Sequence, residues 1–122
     1  MAKNILVVDD SASIRQVVSM ALQEAGYNTV TATDGKDALS KLGGTRFNLV
    51  ISDVNMPNMN GIELLKELKK RPDTKFTPVI MLTTESDAGK KQEGKEAGAK
   101  AWVVKPFVPA QMLKAVSMLI QP

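Results

Sequence analysis

The side chains able to do chemistry in this 122-residue chain are Asp9, Asp10, Asp53, Thr83 and Lys105. The chain has no histidine and no cysteine. Imidazole bases, phosphohistidine, thiolate nucleophiles, disulfides and metal sites built on Cys or His are therefore excluded. Carboxylate, hydroxyl and ammonium groups remain, with a hard metal if the acids are brought together. Three gathered carboxylates repel one another. They raise at least one pKa and weaken the fold unless a cation enters, so Asp10→Ala should raise the melting temperature of the metal-free protein. Donors that are all oxygen favour Mg²⁺, which accepts one or two carboxylates and keeps its waters. With a lysine and a hydroxyl alongside, such a cluster is equipped to receive a phosphoryl group. The nucleophile can then only be a carboxylate oxygen, and the product an acyl phosphate. Asp53 is the best candidate, with Asp9 and Asp10 able to hold the metal beside it.

Convergence of these residues depends on the elements that carry them. Short apolar, β-branched runs recur at Ile5–Val8, Thr29–Ala32, Leu49–Ile51, Val79–Leu82 and Ala101–Val104. Each is too short for a helix and reads as a parallel strand covered on both faces. Helices are predicted between and after them. The first is the clearest, with Ile14, Val17, Val18, Ala21, Leu22 and Ala25 on one stripe and Arg15, Gln16, Ser19, Gln23 and Glu24 facing away. Ser11 or Ser13 can cap its start and Gly26 ends it. The others are predicted over 35–42, 61–71, 87–97 and from Pro109 to about Ile120. The fourth is the weakest, holding Gly89 and Gly94 with only Ala88 and Ala97 apolar, and is expected to be the loosest.

Five strands alternating with five helices define an α/β doubly wound parallel sheet with right-handed crossovers. Ligands in such sheets bind beyond the carboxyl ends of the strands. Asp9-Asp10 end strand 1, Asp53 ends strand 3, Thr83 ends strand 4 and Lys105-Pro106 follow strand 5, so all face one rim. Thr33 and Asp34 follow strand 2, an expected edge strand farther away. Taken singly, each has a plainer reading: a helix cap for Asp9 or Asp10, a turn for Asp53, a β-branched strand end for Thr83, a solvated ammonium for Lys105. Their conjunction favours the site.

The hydrophobic fraction of 43% suits one core, and residues 1–122 read as one domain with no output domain. Ile5–Val8 is too short for the core of a signal peptide, about 7–15 residues, or for a membrane span. The expected location is the cytoplasm, without membrane insertion. The net charge is +3, but aromatics are only 4% and the basic residues mix with acids, as in Lys90-Lys91-Gln92-Glu93. That pattern reads as a solvated helix face rather than a grip on nucleic acid.

These residues resemble a response-regulator receiver domain over essentially the whole chain. The features are the pair Asp9-Asp10, the run Asp53-Val54-Asn55-Met56-Pro57-Asn58-Met59-Asn60-Gly61, then Thr83, and finally Lys105-Pro106-Phe107. The resemblance implies a flavodoxin-like sheet in the order 2-1-3-4-5. It implies that Asp53 is phosphorylated by a histidine kinase. It implies that Asp10, Asp53 and the backbone carbonyl of Asn55 hold Mg²⁺ with Asp9 helping through water. Lys105 would contact the phosphoryl group, Thr83 would move toward it, and the Lys105-Pro106 bond would be cis. Trp102 takes the place of the family's switch aromatic, usually Tyr or Phe, which turns inward and reshapes the face made by helix 4, strand 5 and helix 5; a plain core position on an edge strand is its bland reading. Asn55 and Glu85, at positions that tune autodephosphorylation, and the single-domain length resemble the CheY-type chemotaxis regulators. Thr84 departs from the small residue common there.

The function so implied is a phosphorylation-activated switch of a two-component system. It is not an enzyme beyond its own phosphorylation and autodephosphorylation. The expected partners are a chemotaxis-type histidine kinase and the flagellar motor switch protein or another target. A phosphatase could also act on it, and the expected state is a monomer. A phosphate sink or a relay receiver in another pathway is the alternative within the family. A haloacid-dehalogenase-like phosphatase also uses Mg²⁺ and an Asp nucleophile, but the chain is short for its core and cap. A flavodoxin would need a phosphate cradle where Asp9-Asp10 would repel the anion. Without histidine the protein cannot be its own phosphohistidine donor. Lys90, Lys91, Lys95 and Lys100 near the fourth helix read as part of a protein-docking face.

Overall fold

A computed structural model describes residues 3–83, 88–105 and 108–121, with backbone only for 88–91. Five strands and five helices alternate along the chain: β1 (Asn4–Val8), α1 (Ala12–Glu24), β2 (Asn28–Ala32), α2 (Gly35–Lys41), β3 (Leu49–Asp53), α3 (Gly61–Lys70), β4 (Val79–Thr83), α4 (Ala88–Ala97), β5 (Ala101–Val104) and α5 (Pro109–Leu119). All pairings are parallel and the sheet order is β2-β1-β3-β4-β5. The expected doubly wound, flavodoxin-like sheet is therefore the one observed. The order reverses direction at β1, placing the switch point between β1 and β3, where Asp9 and Asp53 emerge.

Alternation along each strand divides the core into two layers. Leu6, Val8, Val50, Val79 and Met81 point to one face, where Ala38, Ile62, Leu64, Leu65 and Leu68 of α2 and α3 cover them. Ile5, Val7, Leu49, Ile51, Ile80 and Leu82 point to the other, under Val18 and Leu22 of α1 and Met112 and Val116 of α5. All five residues of both β3 and β4 are buried, which is why Leu49–Ile51 and Val79–Leu82 read as unbroken apolar runs.

Local chemistry sets the helix ends. Ser11 caps α1, accepting from the Ile14 N–H, and Gly26 follows its end at φ 99°. Asp34 caps α2. Asn60 and Glu63 form a reciprocal capping box on α3, satisfying two otherwise orphan N–H groups. Pro109 occupies the first turn of α5. Three details of α1 differ from the predicted stripe. Val17 is exposed, Ser19 is buried, and Arg15 folds back to the strand end rather than facing solvent.

Candidate functional site

β1, β3 and β4 end on one rim, and residues at or just beyond those ends supply the site. A carboxylate oxygen from each of Asp9, Asp10 and Asp53 lies within 4.8 Å of the others; among the described residues this is the one group of acids so placed. Asp9 is fully buried, Asp53 is 7% exposed and Asp10 faces solvent. Lys105, at the end of β5, spans the gap between strands. Its Nζ lies 3.1 Å from Asp9 Oδ2 and 3.2 Å from Asp53 Oδ1. The other Asp9 oxygen, Oδ1, accepts the Ser11 N–H at 2.9 Å. Asp9 thus does take part in the turn into α1, while still presenting a charge to the site.

Burial is the main reason that Asp53 resists ionisation: its pKa is raised, first by desolvation and next by the Asp9 charge, against the opposing pull of Lys105. Lys105 moves the other way. Burial alone would lower its pKa, but the hydrogen bond to Asp9 and the charges of Asp53 and Asp9 outweigh that, and the net shift is upward. Three carboxylates against one ammonium leave an excess of two negative charges, which a divalent cation would balance. The donors are hard oxygens on converging strand ends, one of them open to solvent, which suits a metal that keeps part of its water shell.

The remaining predicted residues fall as follows. Thr83 ends β4, is 2% exposed, and accepts the Lys105 N–H on its carbonyl at 2.6 Å. Asn55 lies two residues beyond Asp53 and is exposed. Trp102 lies on β5 opposite Met81 of β4, half-buried against the core layer of α2 and α3 rather than on the rim. Thr84, Glu85, Pro106 and Phe107 lie outside the described residues, as do the side chains of Lys90 and Lys91. Asp34 serves α2 and the β3–α3 loop instead: it accepts from Asp37 N–H at 2.8 Å and from Asn58 Nδ2 at 2.8 Å, and these bonds hold its pKa down.

Three supports of the site were not anticipated. Arg15 Nη1 donates to the Asp9 carbonyl at 2.7 Å, bracing the strand end from one turn into α1. Asn58 holds φ at 67°, so the loop after Asp53 turns sharply enough to bring its side chain to Asp34. Gly61 packs so tightly that a Cβ there would overlap the Asp53 carbonyl oxygen and come within 2.7 Å of Met81 Cε. The run from Asp53 to Gly61 could have signalled this last role, because its closing glycine begins α3. Nothing in the spacing of Arg15 signals its bond to Asp9.

A buried carboxylate clasped by lysine, at the switch point of a doubly wound sheet and beside two further acids, defines a domain class by fold and chemistry together. The family model described as "Response regulator receiver domain" matches residues 5–117, and the chain belongs to that family, the receivers of two-component signalling. CheY-type proteins are among its close relatives. The crystal structure of Vibrio cholerae chemotaxis protein CheY4 is 51% identical with a TM-score of 0.93, covering 98% of this chain and 100% of that one. Chemotaxis protein CheY-3 of Vibrio cholerae is 36% identical over 118 residues, 96% of this chain and 91% of that protein. The probable transcriptional regulator ycf27 of Cyanophora paradoxa is 41% identical over 119 residues, 98% of this chain, which spans only about half (48%) of that regulator's length. No helix among the described residues is long and apolar enough to cross a membrane.

Proposed function

We propose that the protein is a phosphorylation-activated switch in which Asp53 is the phosphoacceptor, and that its output is chemotactic control of a flagellar motor. The observation that carries the first part is the position of Lys105, whose ammonium bridges buried Asp9 and Asp53 at the switch point. In this reading an Asp53 carboxylate oxygen attacks phosphorus as the P–N bond of a kinase phosphohistidine breaks, and the donor imidazole leaves. Lys105 exchanges its contact with the Asp53 carboxylate for the phosphoryl oxygens. Asp10, Asp53 and the Asn55 carbonyl would hold Mg²⁺, with Asp9 helping through water, and the ion would supply positive charge against the phosphoryl oxygens and the excess acid charge. The Thr83 hydroxyl moves to donate to the phosphoryl group. Trp102 then repositions, and the face of α4, β5 and α5 changes for its target. Asn55 and Glu85 set the rate at which water removes the phosphoryl group, Pro106 follows a cis bond, and the protein works as a cytoplasmic monomer.

Acetyl phosphate with Mg²⁺ tests the site. Mass spectrometry should show one added phosphoryl group in the intact protein and none in Asp53→Asn, and the Trp102 fluorescence should change in the first only. Modification that persists in Asp53→Asn overturns the assignment. The chemotactic output is favoured by the likeness to CheY4 over the whole of that chain. Deletion of the gene should alter swimming reversals, and unaltered motility in a flagellated host refutes the motor. The 41% identity to ycf27 favours a second output, a receiver serving transcription. A gene-expression change on deletion, with reversals intact, would select it.

A further inference from the structure

The mid-helix glycine Gly94 has a function that its helix propensity hides. α4 reads Ala-Gly-Lys-Lys-Gln-Glu-Gly-Lys-Glu-Ala, with no large apolar side chain to anchor it. Gly94 is nevertheless buried in this exposed helix. What buries it is Trp102: a Cβ built at Gly94 would overlap Cη2 of the indole and stand 2.5 Å from Cζ2, far inside any real contact. The six-membered ring therefore lies directly on the α4 backbone. The same glycine's carbonyl accepts the Ala99 N–H at 3.0 Å, and Gly98 closes the helix at φ 105°. The seat is thus tied to the helix end and to the loop leading into β5. Trp102 Nε1 is buried with no hydrogen-bond partner among the described residues. Shape alone holds the ring here, and any position giving that N–H a partner would relieve the cost.

We propose that Gly94 is a positioning residue, forming a side-chain-free seat that couples the location of α4 to the location of the Trp102 ring. With the ring seated, α4 rests on it. With the ring withdrawn, the helix loses that apolar support and must resettle. The size of tryptophan, which would otherwise crowd this face, is accommodated by the absent side chain at position 94. The proposal deepens the switch reading and rests on Trp102 being the group that repositions.

The test is Gly94→Ala, made alone and together with Trp102→Phe, whose smaller ring does not carry the overlapping Cη2 and Cζ2 atoms. Alanine is the better helix former, so at a seat with no ring against it the substitution should stabilise α4. The expected result is a sign reversal. Gly94→Ala lowers the melting temperature in the tryptophan background and raises it in the phenylalanine background. In the single variant the indole emission should move to longer wavelength as the ring is pushed toward solvent. Its fluorescence response to Mg²⁺ with beryllofluoride should shrink while fluorine NMR still shows Asp53 loaded. The same sign of melting-temperature change in both backgrounds, or an unchanged emission maximum, overturns the proposal. Failure of the wild-type protein to load beryllofluoride is a different outcome, and refutes the switch reading on which the proposal rests.

Discussion

Replacing Asp10 by asparagine should stabilise the protein without metal and weaken it with metal. The substitution keeps the shape and removes one charge. An oxygen of Asp10 lies within 4.8 Å of oxygens on both Asp9 and Asp53. At that separation one like-charge pair costs ~3.5 kcal/mol at an effective permittivity of ~20, and ~0.9 kcal/mol in bulk water. Lys105 stands 3.1 and 3.2 Å from the other two acids, so Asp10 faces two negative charges and one positive, a net single negative charge. Asp10 faces solvent, so the weaker figure applies to what remains, about 1 kcal/mol. With an unfolding entropy of ~2.1 cal/mol/K per residue, that corresponds to ~4 °C in melting temperature. Calorimetry in EDTA at low ionic strength should show the gain. It should fade toward 1 M salt, where the screening length contracts from about 10 Å at 0.1 M to about 3 Å. Mg²⁺ should reverse the order. A ligand at a hundredfold excess over its dissociation constant adds about 2.7 kcal/mol to the wild type, and less to a variant missing one donor. A variant that melts at or below the wild type in EDTA, or a gain that survives high salt, would sink the repulsion account.

Other perturbations probe the same rim. Lys105→Met should cost about 2–4 kcal/mol in urea unfolding of the metal-free protein, because it leaves Asp9 buried without its cation; a loss below about 1 kcal/mol would show that the clasp contributes little. The raised pKa of Asp53 has a definite sign: its folded form holds the proton more tightly than the unfolded chain. Its contribution therefore favours the fold at low pH and declines as pH rises through the interval from the ordinary carboxylate value to the elevated one. The stability difference between wild type and Asp53→Asn, followed by denaturation across pH 3 to 8, should shift in the variant's favour over that interval; a flat difference refutes it. Asp34 behaves oppositely, its depressed pKa making its capping contribution disappear as pH falls, which is why the difference is the useful quantity. Gly61→Ala should cost about 2–3 kcal/mol by overpacking and should lower phosphorylation of Asp53 by acetyl phosphate, since the backbone oxygen of Asp53 must yield to the new methyl group. Unchanged stability and phosphorylation would count against that contact.

Much of this architecture was legible because local and global preferences agree. The strand runs carry their own signal: β3 and β4 are covered on both faces, so their apolar character is continuous over Leu49–Ile51 and Val79–Leu82, and polar side chains (Ser52-Asp53 and Thr83) mark their ends. Site residues follow from those ends, since topology alone brings Asp9, Asp53 and Lys105 together. What escaped was contact between elements. Arg15 was assigned to solvent by its place off the apolar stripe, yet a long guanidinium side chain can reach back to the Asp9 carbonyl. Ser19 and Val17 exchange expected environments because the covered arc of α1 is shifted round the helix, from the Val17 edge of the stripe toward Ser19. Gly94 looked like a defect in a weak helix. Its reason lies eight residues away on another element, in the ring of Trp102, and no periodicity within α4 encodes it.

The Lys105–Asp9 bond joins residues 96 apart in the chain, across strands that are not neighbours in the sheet. It can form only after β1, β3, β4 and β5 have assembled, because loop closure of that span must come first. The crowding of Asp53 against Asp9 and Asp10 needs only the pairing of β1 with β3, so it does not wait for the lysine that balances it. Relieving it, by asparagine at position 10 or by bound cation, should therefore speed folding as well as slow unfolding. The site that makes the protein responsive would then also govern how long each folded molecule lasts between openings.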